Sequence, residues 1–408
     1  MVIVTMARNR YTLILGFACF IALGMMNGLL GVAWPSIRQT FGLSLDALVA
    51  LLVTSTIGFA VGSVLAAKLL AWLGAGWSLL VANLLGAAGL VGYVLAPGWW
   101  VLVAFGLLTG WANGTIDTAL NIYVAATRTV RTMNWMHACF GVGATIGPLL
   151  MTFIVGAGLS WRWGYAVGVA IHLALGVLYL TVVRSMTFRG LSHHTGSDLS
   201  AQPASMGATL RLPMVWLGVL LFLLYTGVES TAGQWTYTWF TESRAASAYL
   251  AGTMTSVFWA MLTVGRVVFG AGAARIGVER LLRLSMIGAV VAAALLLVRS
   301  LPIGFAALGL MGLSLAAIFP TLTSDAPNRV GARHAANTIG IQTGAASVGF
   351  AVLPGLAGVL AERAGLESLG PFLVVSTLLM LGVNQLAVAL LRRERATAAL
   401  DAAAGRPS

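Results

Sequence analysis

Charge is what this chain has least of. Only 8% of its 408 residues are charged, and just 11 of them are Asp or Glu. A soluble domain carries about a quarter charged residues, so no water-facing surface can be built from this composition. Disorder is excluded too, because disordered chains are rich in charge and poor in apolar side chains. Cysteine is nearly missing: Cys19 and Cys139 both lie in apolar runs and supply neither a disulfide framework nor metal-ligand spacing. No H-E-x-x-H, G-x-S-x-G or P-loop occurs, so hydrolytic chemistry and ATP-driven transport by this chain alone are not expected. An intramembrane aspartyl protease is disfavoured by the lack of G-x-G-D at either candidate acid.

What the chain has is oil. Hydrophobic residues make up 59% of it, and the mean hydropathy is +0.94 over the full length. At about 20 residues per crossing, the chain accommodates twelve membrane helices. Apolar runs are read at residues 11–35, 45–71, 77–96, 99–124, 133–158, 163–184, 212–240, 248–272, 281–299, 302–324, 335–361 and 367–391. The first run is too long for a signal-peptide core and lacks a cleavage pattern, so it reads as the first helix. Long Leu/Ala/Gly-rich runs without period-two alternation argue against a membrane barrel. The 49 glycines suit helices that pack closely.

The net charge of +12 reads as cytoplasmic loops, not as a nucleic-acid surface. With both termini cytoplasmic, only Arg38, Arg162, Arg244, Arg299 and Arg363 fall on the outer side, and most of the 23 Lys and Arg fall inside. This predicts a multi-pass protein of the cell (inner) membrane. Ser185–Arg211 is polar and reads as a cytoplasmic linker. It divides the chain into an N-terminal six-helix bundle (1–184), the linker (185–211), a C-terminal six-helix bundle (212–391) and a cytoplasmic tail (392–408). His193–His194 in the linker reads as solvated.

The halves repeat at a constant offset of 203. Gly62, Gly74 and Gly106 correspond to Gly265, Gly277 and Gly309. A parallel six-helix repeat with a polar linker resembles the major facilitator superfamily. The run Gly265-Arg266-Val267-Val268-Phe269-Gly270, then Arg275-Ile276-Gly277, is similar to that superfamily's signature between helices 8 and 9, with Ala274 at the usual acidic position. The resemblance implies two all-α bundles of six helices that rock about a central cavity.

Two acids lie deep within the apolar runs, Asp117 in helix 4 and Glu229 in helix 7, while Asp46 and Glu367 stand at run ends. A carboxylate at the bilayer centre costs about 2.5–3.5 kcal/mol on insertion scales, so such a residue faces the bundle interior. Asn113, Asp117 and Asn121 recur at i, i+4, i+8 and share one helical face. A low-dielectric cavity disfavours the charged form of Asp117, which suits proton binding and release. Asp117 held by neighbouring amides as interhelical glue is the competing reading. Asp117-Thr118-Ala119-Leu120-Asn121 resembles the E-T-A-x-N of helix 4 in the fucose:proton symporter family, and Asn134-x-x-His137 followed by Gly143 its helix 5 pattern N-x-x-Q. A related glucose transporter branch is also similar. The family's helix 1 acid has no match; Asn27 stands in that region, as a cavity hydrogen-bonder or as packing glue.

In helix 7, Gly227-Val228-Glu229 resembles the G-x-E of the same family, with Tyr225 one turn before Glu229. Gln234 and Trp235 are placed to flank the cavity, although Trp235 suits an interfacial aromatic belt equally well, and Trp239 suits it better. Arg266 reads as snorkelling or bonding helix-end carbonyls. Gly143-x-x-x-Gly147-Pro148 reads as a hinge or close-packing device. In helix 11, Gln342 lies deep enough to touch substrate and Asn337 sits near the cytoplasmic end as a gate residue.

The expectation is therefore a secondary active transporter, not an enzyme, moving a small neutral polar solute by proton symport, a monosaccharide before other candidates. Asp117 and Glu229 are the proton-coupling candidates. Asn27, Asn113, Asn121, Asn134, His137, Tyr225, Gln234, Trp235 and Gln342 are the substrate-binding candidates. No cofactor or metal is expected. The partners are the solute, the proton and the bilayer, with no nucleic acid, and the protein is expected to be a monomer. The competing transport reading is a proton-coupled efflux antiporter for amphipathic drugs or metabolites.

Overall fold

The computed structural model describes residues 2–183 and 204–403. The His193–His194 pair and most of the expected linker lie outside the described residues. Among the described residues there are helices and turns and no strand. The long helices are α1 (Val2–Phe41), α2 (Leu48–Leu73), α3 (Ala75–Leu95), α4 (Trp99–Thr127), α5 (Val130–Gly156), α6 (Arg162–Val182), α7 (Pro213–Ser243), α8 (Ala248–Ile276), α9 (Val278–Leu295), α10 (Leu301–Leu315), α11 (Ala332–Ala364) and α12 (Leu369–Ala403). Eleven have the length and composition of membrane spans. The exception, α9, carries Glu279, Arg280 and Arg283 in its first turns. The Glu279–Arg280 pair at its start is why the hydrophobic run read from sequence begins only at residue 281.

Two helices depart from uniform rods for reasons visible in the chain. After α10 the path breaks at Ala316–Ala317 and resumes as two short helices, Ile318–Ser324 and Ala326–Val330. Pro320 lies just past the break. It has no N–H for the Ala316 carbonyl, so the ladder cannot run through. α12 continues to Ala403, well into the stretch expected as a tail.

The 203-residue repeat is visible in the backbone. Gly74 and Gly277 both take positive φ (80° and 84°) and each caps the start of the following helix. Gly62 lies against the Trp111 carbonyl of α4, and its counterpart Gly265 against Ala316 and the Leu313 carbonyl at the end of α10. Gly106 meets Thr54 of α2, and Gly309 meets Val257 of α8, again 203 apart.

Glycines also set how closely the first bundle packs. A Cβ at Gly143 or Gly147 would stand 1.9 Å or 2.4 Å from the carbonyls of Ile21 and Met25 in α1. The Gly143-x-x-x-Gly147 pair is thus a close-packing device for α1 against α5. Across the two groups of helices, α1 packs on α7, α2 on α11 and α5 on α8.

Because α6 ends and α7 begins on the same side, that side is called the linker face and the opposite side the far face. The bundles are latched at the far face. Arg38 at the end of α1 donates to both Glu242 carboxylate oxygens at the end of α7, at 2.8 and 2.7 Å. The Leu45 amide donates to Glu362 of α11 at 2.6 Å. At the linker face, the described end of the linker is a helix, Met206–Leu210, docked on the start of α11. Asn337 donates to the Ala204 carbonyl and to Thr209 Oγ1 at 2.9 and 3.2 Å, and Thr209 also bonds His334. Asn337 anchors this helix and does not stand free as a gate.

Most far-face arginines are tied down. Arg162 donates to the Val94 and Ala96 carbonyls. Arg244 donates to the Leu296 and Val298 carbonyls and pairs with Glu367. Arg299 lies 3.5 Å from Glu367. These side chains replace the water that helix-end carbonyls would otherwise need.

Candidate functional site

In the first bundle the polar face of α4 meets α5. Asn113, Asp117 and Asn121 are all partly buried. Asn121 Nδ2 donates to the Asp117 backbone carbonyl at 2.9 Å. Asn121 Oδ1 lies 3.1 Å from His137 Nε2, so His137 holds its proton on Nε2 when it donates there. The imidazole also meets Phe20 of α1 edge-on, at 5.3 Å between centroids. His137 and Asn134 are exposed although they lie inside the apolar length of α5. Asp117 forms no ion pair among the described residues.

In the second bundle the acid has a cation. The Tyr225 phenol donates to Glu229 Oε2 one turn away, and the Arg266 guanidinium of α8 stands 3.6 Å from the same oxygen. Arg266 is therefore an intramembrane ion-pair partner and neither a snorkelling residue nor a carbonyl cap. His137 lies one turn before Gly141, which packs against Thr263 of α8 one turn before Arg266, so the Asn121–His137 group and the Tyr225–Glu229–Arg266 group face each other across the α5–α8 contact. The side chains of Arg266 and Glu229 keep 28% and 12% of their exposure.

The remaining predicted residues separate. Asn27 is partly buried in α1, where the neighbouring Gly24 and Gly28 lie against the α5 backbone. Gln342 packs its amide against the α7 backbone at Gly218 and is 4% exposed. Trp235 is 1% exposed and donates Nε1–H to the Pro354 carbonyl at 2.9 Å. That bond makes it a clamp between α7 and α11, and the buried ring is not part of an interfacial belt. Trp239 is likewise buried, and its ring lies under the Arg244 guanidinium at 4.5 Å. Gln234 is 2% exposed, and an added Cβ at Gly31 of α1 would stand 2.9 Å from its carbonyl. It lies in the sealed seam on the far side of the Glu229 group. Among the described residues there is no cluster of His, Cys, Asp and Glu able to hold a metal.

Sequence reading missed the Glu229–Arg266 pairing, since nothing local joins residues on different helices. It also missed Trp259 of α8, 2% exposed and set against Gly233 of α7. The signal was available: Gly252, Ser256, Trp259, Thr263 and Arg266 follow helical spacing and share one face of α8.

This architecture has relatives. The chain is 22% identical over 317 residues to the glucose/mannose transporter GlcP of Bacillus subtilis, covering 76% of this chain and 78% of that protein. It is 23% identical over 273 residues to bypass of stop codon protein 6 of Saccharomyces cerevisiae, covering 62% of this chain. The match spans about half, 54%, of that yeast protein. Among solved structures, a point variant of the nucleoside transporter NupG superposes with a TM-score of 0.76 at 12% identity, covering 91% of this chain and 98% of that one. A bacterial homologue of the human lysosomal transporter Spinster, in an inward-facing and occupied conformation, superposes with a TM-score of 0.70 at 14% identity, covering 94% and 97%. At these identities the superpositions speak for the fold. A model of the Major Facilitator Superfamily matches residues 16–345, and with the twelve-helix repeat it identifies the chain as a multi-pass membrane transporter belonging to that superfamily.

Proposed function

We propose that the protein is a secondary active transporter that carries a small neutral polar solute, a monosaccharide before other candidates, together with a proton. Residues 1–184 and 212–391 are the two rocking units, 185–211 the linker and 392–408 the tail. The linker face is the cytoplasmic face of the cell (inner) membrane, in keeping with its excess of basic residues. The protein acts as a monomer.

The observation that carries this reading is the contrast between the two intramembrane acids. Glu229 has a cation, Arg266, at 3.6 Å, and the pair is neutral together. Asp117 has the Asn121 amide beside it and no ion pair among the described residues. Occluding a bare carboxylate is costly, at about 2.5–3.5 kcal/mol, and binding a proton removes that cost. Protonated Asp117 thus permits the loaded carrier to reorient, while the ionised form resists closure; that difference couples the two fluxes. Glu229 then serves to hold Arg266 and Tyr225 in place, and Asp117 alone cycles its proton.

Neutral hydrogen-bonding groups in both bundles, Asn113, Asn121, His137 and Tyr225, suit hydroxyl-bearing solutes. The similarity to a protein named as a glucose/mannose transporter supports a sugar, and the fold shared with a nucleoside transporter keeps ribose-bearing rings among the compounds to test. Uptake of a panel of hexoses and pentoses into vesicles, with and without an imposed proton gradient, tests the proposal. Accumulation above equilibrium that collapses with an uncoupler is expected. Gradient-independent equilibration of every solute would reject proton symport.

A further inference from the structure

The seam between the bundles has an unusual composition on the far side of the Glu229–Arg266 pair. Thr152 of α5 lies against Gly252 of α8, where an added Cβ would stand 1.8 Å from the threonine Oγ1. Gly141 of α5 lies against Thr263 of α8, where an added Cβ would stand 2.1 Å from that Oγ1. The two contacts are eleven residues apart on each helix, so one face of α5 runs antiparallel along one face of α8. Ser256 and Trp259 fall between these contacts on the same α8 face. Trp259 also rests on Gly233 of α7, and the next residue, Gln234, meets Gly31 of α1 through its backbone.

These side chains are sealed and unsatisfied. Thr152, Ser256, Trp259 and Gln234 are 5%, 3%, 2% and 2% exposed. Thr152 Oγ1, Ser256 Oγ, Trp259 Nε1 and Gln234 Oε1 each lack a hydrogen-bond partner. Buried polar atoms are almost always paired, because an unpaired one loses its hydration without return. Three along one stretch of the α5–α8 seam, with a fourth on the adjoining α7, do not describe a permanent core, where apolar side chains would serve better. They describe a surface that is wet in another conformation. The small residues Gly31, Gly233 and Gly252 let the same surface close flat.

We infer that this α8 face lines the translocation path across the membrane, and that Trp259 and Ser256, with Thr152 and Gln234, form a binding site for a neutral hydroxyl-bearing ring when the path opens to the far face. The site offers a flat indole for the C–H face of a ring, an N–H donor, an amide acceptor and two hydroxyls, and no charge. Lower on the same α8 face lies Arg266, and it and its α7 partner Glu229 are already partly exposed in the far-closed state, so a solute passes from one set to the other as the seam shifts. The inference rests on the transporter reading and adds the residues of the second half of the cycle.

The test is thiol labelling of the full-length protein in oriented proteoliposomes, with S256C and T152C as separate variants. Wild type, with its native Cys19 and Cys139, supplies the background. A membrane-impermeant maleimide added at the far face is expected to label both variants, at least fivefold more slowly when a transported hexose or pentose saturates the carrier. Absence of far-face labelling in both folded variants overturns the path, and labelling that no ring polyol slows overturns the binding site. Labelling that is protected while proton-driven uptake fails supports the site and rejects the coupling reading instead. W259F keeps an aromatic face, though a smaller one, and loses the N–H; a KM raised about fivefold to tenfold with Vmax within twofold is expected, and an unchanged KM contradicts the assignment.

Discussion

The Arg266 guanidinium of α8 stands 3.6 Å from the Glu229 carboxylate of α7, inside a membrane-spanning bundle and near the contact of α8 with α5. Each charge makes the other tolerable. Removing one partner of a fully buried pair costs about 3–5 kcal/mol, because the survivor is left uncompensated. Here both side chains keep some exposure, so R266A is expected to lose about 2 kcal/mol of stability, read as a lower unfolding midpoint in detergent. The double variant E229Q/R266Q is expected to regain most of the loss. A single variant as stable as wild type would show that the pair is not the anchor described.

Gly31 and Gly344 make a matched pair of test positions. A Cβ at Gly31 would stand 2.7 Å from the Gly233 carbonyl across the seam, while one at Gly344 meets nothing within 4 Å. G31A is therefore expected to hinder far-face closure and to lower turnover at least tenfold, with solute binding retained. G344A is expected to leave turnover unchanged. Equal effects of the two substitutions would remove the seam from the transport cycle.

The bidentate Arg38–Glu242 pair at the far face is partly exposed, with 23% and 31% of side-chain area accessible. Pairs of that kind contribute about 0.2–1 kcal/mol. Conformational spin-label distances between the far ends of α1 and α7 should show R38A raising the far-open population by about 1.5-fold to fivefold. High salt should move wild type in the same direction by a smaller amount.

The Met206–Leu210 helix is held to α11 by Asn337 and His334 through Thr209, which is fully buried. N337A leaves the Ala204 carbonyl without its donor. Limited proteolysis near residues 204–212 is expected to speed up severalfold in this variant, with the unfolding midpoint nearly unchanged. Unaltered cleavage would mean that the helix is held by other contacts.

The fold could be read from the chain because membrane helices announce themselves one at a time. Each needs a long apolar run, and no partner has to be known to see it. The repeat was legible for a related reason: Gly74 and Gly277 need positive φ, so the residue type itself records the backbone. Where a local cue competed with the apolar run the reading blurred, as at the charged start of α9 and at the break before Pro320. The site was harder, since its meaning lies in pairs. The i, i+4 relation of Tyr225 to Glu229 was visible in the sequence, whereas Arg266 reaches Glu229 from another helix. Trp235 looked like a sugar platform by type and position, yet its N–H is committed to the Pro354 carbonyl. Trp259, without such a bond, attracted no attention because the residues beside it in sequence are apolar.

The central claim concerns Asp117, partly buried on the polar face of α4 and without an ion pair among the described residues. Its most direct test is uptake of a transported sugar into vesicles under an inward proton gradient, comparing wild type with D117N. Replacing the acid by its amide keeps the shape and removes the titrating group. The account predicts that D117N loses concentrative uptake while retaining exchange of labelled for unlabelled solute. Full concentrative uptake by D117N would contradict it.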